Sequence, residues 1–242
     1  MKFSPISRLG VLISRPKWSL LKSDGVKRAI DVCGAIALLV VFSPVLVLCG
    51  VALRFSGDRS VIFRQERVGQ GGRPFKVLKL TTMRHDAHLA GPLVSTGGDL
   101  RATRTGRIIR AFCFNELPQL FNVLRGEMSL VGPRPEVPKF VARWAPEVKD
   151  EILSVRPGIT GLATVRIWHE ASLLEGKADV ELAYLEEVLP KKQQLDLWYL
   201  RNRGLWLDLR IMFLTLVKAL SGSRLFRSIY RARQVVSLEE KA

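Results

Sequence analysis

The sequence predicts an α+β fold that is mostly helical, with a re-entrant membrane helix, a small β-hairpin and amphipathic helices at a membrane interface. Three observations predict it: a long apolar run, two strand-like runs around a glycine-rich turn, and helical patterns through most of the remainder. The 242 residues suffice for one domain with appendages. The predicted boundaries are a basic N-terminal extension at 1–26, the membrane helix at 27–55, a cytoplasmic domain at 56–222 and a basic tail at 223–242.

The apolar run at 29–53 carries a single charge, Asp31, and a helix of that length would just cross a hydrocarbon core of about 30 Å. Ser43-Pro44 lies near its middle, where proline removes a backbone hydrogen bond and bends a helix. Both flanks are basic, and basic flanks stay cytoplasmic. These features predict a helix that breaks at Ser43-Pro44 and returns to the same face. An ordinary single crossing is the alternative.

The rest of the chain alternates strand, loop and helix signals. Val61–Phe63 and Phe75–Leu78 read as strands of a hairpin around the turn Gly69–Gly72. Residues 195–220 form an amphipathic pattern that suits either a helix at a membrane surface or a core helix. The tail from Arg224 is expected to be loosely ordered. Further helices are predicted at Arg101–Phe112, Glu116–Leu124, Glu147–Ser154 and Asp179–Leu189.

Composition restricts the function classes. A net charge of +16 predicts a polyanionic partner, and a hydrophobic content of 48% favours a membrane over nucleic acid, so no nucleic-acid partner is expected. The three cysteines have no paired spacing, which argues against disulfides and a cysteine-based zinc site. His85 and His88 with Asp86 have no evident third ligand, so a structural or solvated role is favoured over a metal site.

Several cations are candidates for binding phosphate. Arg134 lies within the rigid turn Gly132–Pro135, and Arg156 precedes Pro157-Gly158. A guanidinium on a stiff backbone suits phosphate oxygens through its forked donors. Arg110 is the third candidate because it lies five residues before Asn115, and Lys79 is expected to assist. The alternative for Arg134 and Arg156 is loop-anchoring ion pairs.

Long ordered motifs carry a resemblance to a known family. They are "VIFRQERVGQGGRPFKVLKLTTM", "NELPQLFNVLRGEMSLVGPRPE" and "VRPGITGLA", preceded by Lys27-Arg28, Asp31 and Ser43-Pro44. The sequence resembles the monotopic polyprenyl-phosphate phosphoglycosyl transferases among the bacterial sugar transferases, in their short form. The resemblance covers about Lys27 to Leu220.

The resemblance implies an enzyme that transfers a sugar-1-phosphate from a UDP-sugar to polyprenyl (undecaprenyl) phosphate and releases UMP. It implies Mg²⁺ as the cofactor, a catalytic Asp-Glu pair, and a re-entrant helix that places the active site at headgroup level. It also implies a bacterial inner membrane location, with the catalytic domain on the cytoplasmic face. The partners would be UDP-sugar, polyprenyl phosphate and the membrane, with homo-oligomerisation left open.

Two departures from the family pattern stand out. Asn115 occupies the position of the nucleophilic aspartate, while Glu116 matches the second carboxylate and is the expected catalytic group and metal ligand. Either Glu116 is the nucleophile, or the acceptor phosphate attacks directly, or the enzyme is altered, or Asn115 deamidates. Activity built around Glu116 is favoured, and the alternative is an impaired membrane scaffold that binds polyprenyl phosphate. The second departure is residues 164–168, Thr-Val-Arg-Ile-Trp, in which Arg166 is a candidate substitute for the family's arginine.

Overall fold

The computed structural model is mostly helical and contains two small sheets of two strands each. It agrees with the predicted α+β class, with one long apolar helix near the N-terminus. The structure describes residues 24–56, 60–84, 91–94, 99, 101–168 and 170–234, with the side chains of 172 and 220–234 excepted. Most of the predicted extension at 1–26 and the histidine pair therefore lie outside the described residues.

Helix α1 (Asp24–Phe55) continues through Pro44, so the predicted break does not interrupt it. Proline has no N–H to bond the carbonyl of Val40, four residues earlier. The Ser43 hydroxyl donates to that carbonyl instead, at 2.9 Å. The neighbouring serine thus satisfies the acceptor that proline abandons, and the helix persists.

One face of α1 contacts the rest of the protein along its whole length. Near its start, the Arg28 guanidinium donates to the carbonyls of Val123 and Leu124, at 2.7 and 3.2 Å. Just beyond its end, the Ser56 hydroxyl lies 2.9 Å from that of Thr105. Between them, the packed positions recur every three or four residues: Asp31, Ala35, Leu38, Phe42, Leu46, Cys49 and Leu53.

The opposite face of α1 is apolar and exposed. Its side chains include Val40, Val41, Val47, Leu48, Val51 and Phe55. Among the residues that the structure describes, α1 is the one helix long and apolar enough to cross a membrane.

The predicted hairpin is confirmed. Strand β1 (Ile62–Val68) pairs antiparallel with β2 (Pro74–Leu80), in a register that places Ile62 opposite Leu80. A 3₁₀ turn, Gln70–Gly72, joins the strands. Gly71 and Gly72 have φ of 65° and 76°, a region in which glycine has no steric penalty.

The sequence does not predict the second sheet. Strand β3 (Ser129–Val131) pairs in parallel with β4 (Gly158–Thr160). A Cβ at Gly158 would come within 2.2 Å of the Gly132 nitrogen, so the two segments meet only because glycine is present. Three-residue strands are too short to show a periodic pattern.

Most of the predicted helices occur, with shifted ends. The remaining helices are α2 (Arg104–Ala111), α3 (Gln119–Leu124), α4 (Pro138–Val141), α5 (Pro146–Ile152), α6 (Leu162–Arg166), α7 (Glu170–Leu173), α8 (Val180–Ala183), α9 (Leu189–Asn202) and α10 (Leu205–Gln234). A π-helical turn, Tyr184–Val188, joins α8 to α9. The segment predicted as one amphipathic helix is two, separated at Arg203-Gly204. Helix α10 also runs into the predicted loose tail, as far as Gln234.

The core joins the N-terminal helix to the C-terminal half of the chain. One apolar cluster packs α1, α3, β3, α9 and α10 together around Met128 and Val123, both fully buried. A buried network joins α1 to α10: the Lys27 ammonium lies 3.2 Å from Asp31 and 2.9 Å from Asp208. The Tyr199 hydroxyl of α9 donates to Asp208 at 2.7 Å. The Asp31 carboxylate also accepts from the Leu130 N–H of β3 at 3.1 Å, so these contacts hold α1 against α10 and β3.

Candidate functional site

One cavity of about 1320 Å³ lies between α1, the β-hairpin, the segment that precedes α3, and α10. That volume exceeds the range of about 300–1,000 Å³ that is typical of sites for a single small ligand. Its wall is charged in one part, at Glu116, Arg134 and Lys79. Another part is apolar, with Phe42 of α1 and Phe213 of α10. The cavity is therefore suited to an anionic group and an apolar chain together.

A paired carboxylate and guanidinium form the centre of the charged wall. Glu116 ends a 3₁₀ turn, Phe114–Glu116, and Arg134 comes from the turn after β3. The two Arg134 terminal nitrogens bind the two Glu116 oxygens at 2.8 and 2.5 Å. Arg134 also donates to the Ile159 carbonyl of β4 at 3.0 Å, so the parallel sheet orients its guanidinium.

The cations set the charge of the site. Burial acts to raise the pKa of Glu116, but the charge and hydrogen bonds of Arg134, with Lys79 beside it, hold it at about 2. Burial lowers the pKa of Lys79 to about 8, against the attraction of Glu116, which lies 4.0 Å from its ammonium. Glu116 is therefore ionised throughout the physiological range, and Lys79 titrates near its upper end.

Asn115 and Cys113 lie on the same wall. Asn115 lines the cavity within the 3₁₀ turn, next to Glu116. Cys113 precedes the turn with φ of 59°, the one non-glycine residue with positive φ in the part of the chain that the structure describes. Burial raises the pKa of the Cys113 thiol to about 11, so a thiolate nucleophile there is disfavoured.

The structure separates the predicted phosphate ligands. Arg110 lines the cavity, and its Nε donates to the Thr82 hydroxyl at 2.6 Å. Arg156 does not line it: its Nε donates to the Gly126 carbonyl at 3.0 Å, so it anchors that loop through a hydrogen bond to the backbone and not through the ion pair of the alternative. Arg166 is exposed on the last turn of α6 and does not line the cavity either.

Sequence reasoning missed a buried polar cluster on the cavity wall. Glu136 accepts from the Tyr184 hydroxyl and from the Lys192 ammonium, the latter at 2.8 Å. Arg67 lies 3.6 Å from the same carboxylate, and Lys192 also lies 3.2 Å from Glu170. Glu136 directly follows the rigid turn Gly132–Pro135, and a carboxylate at that position could have been predicted from the sequence as a site residue. Tyr184 and Lys192 gave no such signal: Tyr184 begins the π-helical turn and Lys192 lies on α9, and only the packing of these elements brings both to Glu136.

The residues at Glu116 fit a magnesium ion that is held mainly by a substrate. Among the described residues, no group of three or more His, Cys, Asp or Glu side chains is placed to hold a metal. Mg²⁺ usually retains water and binds through one or two carboxylates plus substrate phosphates. The Glu116 carboxylate, with the neighbouring Asn115 amide oxygen, offers a ligand set of that kind.

Comparison with known proteins shows which family this chain belongs to. The family model described as "Bacterial sugar transferase" matches residues 22–222. This chain belongs to the bacterial sugar transferase family. The match includes both sheets and every side chain that meets at the charged wall of the cavity.

Several members of the bacterial sugar transferase family are similar to this chain. A Caulobacter vibrioides UDP-glucose:undecaprenyl-phosphate glucose-1-phosphate transferase is 40% identical over 210 residues, which cover 81% of this chain and 70% of that protein. A UDP-N-acetylgalactosamine-undecaprenyl-phosphate N-acetylgalactosaminephosphotransferase from Aeromonas hydrophila is 34% identical over 218 residues, 89% of this chain and 47% of the relative. An uncharacterized sugar transferase, EpsL of Bacillus subtilis, is 36% identical over 194 residues, which cover 80% of this chain and 87% of that protein.

The chain spans about half the length of the Aeromonas relative and most of the Caulobacter one. The part held in common is the part that contains the cavity and its charged residues.

Proposed function

We propose that this protein transfers a sugar-1-phosphate from a UDP-sugar to undecaprenyl phosphate and releases UMP. The observation that carries the proposal is the Glu116–Arg134 pair, which shares one cavity with apolar side chains of α1 and α10. A nucleoside diphosphate sugar needs cations, and a polyprenyl phosphate needs cations next to an apolar wall. The names of the relatives describe the same pair of substrates.

The bonds that change are those at the β-phosphorus of the donor. An oxygen of the acceptor phosphate forms a bond to it, and the bond to the bridging oxygen breaks. That oxygen leaves with UMP and keeps the electron pair. Arg134, Lys79 and Arg110 place positive charge where the bridging and terminal oxygens become more negative.

Glu116 is better suited to orient these groups than to attack. Both of its oxygens are held by Arg134, and a carboxylate with a pKa of about 2 is a weak base and a weak nucleophile. We therefore favour direct attack by the acceptor phosphate in the native chain, with Glu116 positioning Arg134 and Lys79. Mg²⁺, held by Glu116 and Asn115 with the donor diphosphate, would neutralise charge on the leaving UMP.

The test of the proposal is UMP release by the whole chain in nanodiscs with undecaprenyl phosphate, Mg²⁺ and a panel of UDP-sugars. Release that requires both the UDP-sugar and undecaprenyl phosphate is the expected result. The rival function is a membrane scaffold that binds polyprenyl phosphate without turnover, and Asn115 favours it. Binding of undecaprenyl phosphate without any UMP release across the panel would support the scaffold.

The path of α1 is the second part of the proposal: it enters one leaflet, bends at Pro44 while it stays helical, and returns to the same face without crossing. The support is that both ends of α1 contact the same domain, through Arg28 and through Ser56. A straight helix of 32 residues would be about 48 Å long, and a crossing segment would carry one end away from those contacts. The exposed apolar face of α1 would meet lipid, together with Ile108, Phe112 and Phe213. The family's location at the bacterial inner membrane, with the domain in the cytoplasm, fits this path.

Single cysteines placed on either side of α1 are expected to react from one side of the membrane. With the native Cys33, Cys49 and Cys113 replaced by serine, Asp24→Cys and Ser60→Cys would each be treated with a membrane-impermeant maleimide. Inside-out vesicles should label both, and spheroplasts neither. Glu147→Cys, exposed on α5, reports the side of the domain. Labelling of the two positions from opposite sides would rule out the re-entrant path.

The titration of Lys79 predicts the alkaline limit of activity. Because its pKa is lowered to about 8, the free enzyme loses this charge as the pH rises through 8. A requirement for charged Lys79 would lower kcat/KM about tenfold per pH unit above that point, since kcat/KM reports the groups of the free enzyme. Lys79→Arg keeps its charge at high pH, so its profile should stay flat to about pH 10. The same decline in both proteins would show that Lys79 does not set the limit.

A further inference from the structure

We propose that Trp168 and Glu170 form the wall that binds the sugar ring of the donor, with Trp168 against the ring face and Glu170 accepting from its hydroxyls. This inference rests on the proposed function, because it assigns the sugar-selecting part of the same cavity. Trp168 lies between α6 and α7, at the end of the segment 164–168 where the sequence departs from the family pattern. Glu170 is the first residue of α7, and both residues line the cavity.

The Trp168 ring is held in place from the protein side. The Lys218 ammonium of α10 lies 5.0 Å from the ring centroid, within the range of a cation–π contact. Lys218 is itself buried and donates to the Val165 carbonyl, one turn before the tryptophan. An indole fixed in this way offers a large apolar surface with little entropy left to lose on binding, as suits the C–H face of a pyranose.

Glu170 is held by an ion pair with Lys192, and part of its side chain remains exposed. Its carboxylate lies 3.2 Å from the Lys192 ammonium, and its side chain stays 30% exposed. Lys192 is buried and anchored by Glu136 and the Tyr184 hydroxyl, at 2.8 Å from each. A positioned carboxylate with free acceptor sites is the group best suited to bind sugar hydroxyls, since charged acceptors make the stronger hydrogen bonds.

Trp168 and Glu170 line the same cavity as Arg134, Lys79 and Arg110, the cations proposed to bind the diphosphate. Burial acts to lower the pKa of Arg134, but the charge of Glu116, and after it that of Glu170, raises it, so Glu170 lies within electrostatic reach of Arg134. The donor sugar is joined to its β-phosphorus through one oxygen. A sugar whose β-phosphate meets Arg134 therefore lies close to that cation, in the cavity that Glu170 also lines. The apolar side chains of the same cavity, such as Phe42 and Phe213, remain for the lipid.

Equilibrium binding to the whole chain in nanodiscs separates the sugar from the nucleotide. The probes are UDP, UDP-glucose and UDP-N-acetylgalactosamine, and the native chain should bind at least one sugar nucleotide more tightly than UDP. Trp168→Ala should weaken that binding about tenfold and leave UDP unchanged. Trp168→Phe, which keeps an aromatic ring, should recover part of the loss. Trp198→Ala, at a half-exposed position on α9 outside the cavity, is the matched control.

Glu170→Gln gives an independent measurement. We expect a similar loss for the sugar nucleotide alone, because the neutral amide is a weaker acceptor and no longer pairs with Lys192. Glu187→Gln removes a carboxylate from the exposed Lys177–Glu187 pair and should have no effect.

Three results would overturn the inference. An equal loss for UDP and the sugar nucleotides would assign the ring to the uracil base. Unchanged donor binding with a raised KM for undecaprenyl phosphate would assign the wall to the lipid. A native chain that binds UDP as tightly as both sugar nucleotides would exclude a sugar-binding wall. Failure of the proposed function has a different signature: sugar-dependent binding persists, and no UMP is released.

Discussion

Replacing Glu116 with glutamine is expected to lower the rate of UMP release at least about 100-fold. Glutamine has nearly the same size, so the 3₁₀ turn that carries it has no steric reason to change. The amide cannot make the bidentate pair with Arg134, and it removes the one negative charge that Lys79 and Arg134 share. Both cations would then lose their common orientation toward the diphosphate. The loss should appear mainly in kcat, because Arg134 and Lys79 remain charged and still attract the donor.

The measurement is steady-state UMP release beside the control Glu147→Gln, which removes an exposed carboxylate on α5. The Glu116–Arg134 pair is only partly buried, with side chains 22% and 25% exposed, so its loss should cost less stability than the ~3–5 kcal/mol of a fully buried pair. Retained binding of the UDP-sugar would therefore serve as the test that Glu116→Gln is folded. A folded Glu116→Gln protein with native kcat would contradict both the mechanism and the choice of Glu116 as the catalytic carboxylate.

Replacing Asn115 with aspartate is expected to raise the rate of UMP release about tenfold or more. The side chain lines the cavity beside Glu116, and the added carboxylate would share the wall with Arg110, Arg134 and Lys79. Nearby cations favour the ionised form of a carboxylate, so the new aspartate should be charged at neutral pH. It could then attack the β-phosphorus itself and divide one difficult displacement into two easier ones.

Intact-protein mass spectrometry after an acid quench distinguishes the two routes. Asn115→Asp should gain the mass of one sugar-phosphate when mixed with the donor alone, and the native chain should not. Asn202→Asp, exposed at the end of α9, is the matched control for an added carboxylate. A mass gain on the native chain would show that another side chain, or a deamidated Asn115, already acts as the nucleophile. No change in either rate or mass for Asn115→Asp would contradict the prediction.

The local elements were the parts most accessible to prediction. The hairpin could be predicted from two strand-like runs around a glycine-rich turn, and it forms as predicted because these signals lie within about twenty residues of one another. The Ser43-Pro44 prediction was correct about the missing hydrogen bond and wrong about its consequence for the helix. The Ser43 hydroxyl replaces the lost donor at the Val40 carbonyl, so the helix continues.

The long-range parts could not be read from the chain. The split at Gly204 and the short sheet β3–β4 depend on which segments pack together, and short strands leave no periodic signal. Arg134 and Arg156 looked equivalent as arginines on rigid turns. The structure directs Arg134 to Glu116 and Arg156 to the Gly126 carbonyl. Pairing of β3 with β4 makes that difference, because it places the Ile159 carbonyl where it orients Arg134.

By itself, the sequence determined the chemistry available to this protein. Its ordered motifs indicate the family, its charge and apolar run indicate phosphorylated substrates at a membrane, and Asn115 raises the question of the nucleophile. Only the tertiary structure decided which of these groups meet. It joined Glu116 to Arg134 across eighteen residues, and it brought Glu136, Tyr184 and Lys192 together from separate elements. The physical reason is that residue type and spacing define local backbone and charge, whereas distances between remote side chains depend on the packing of the whole core.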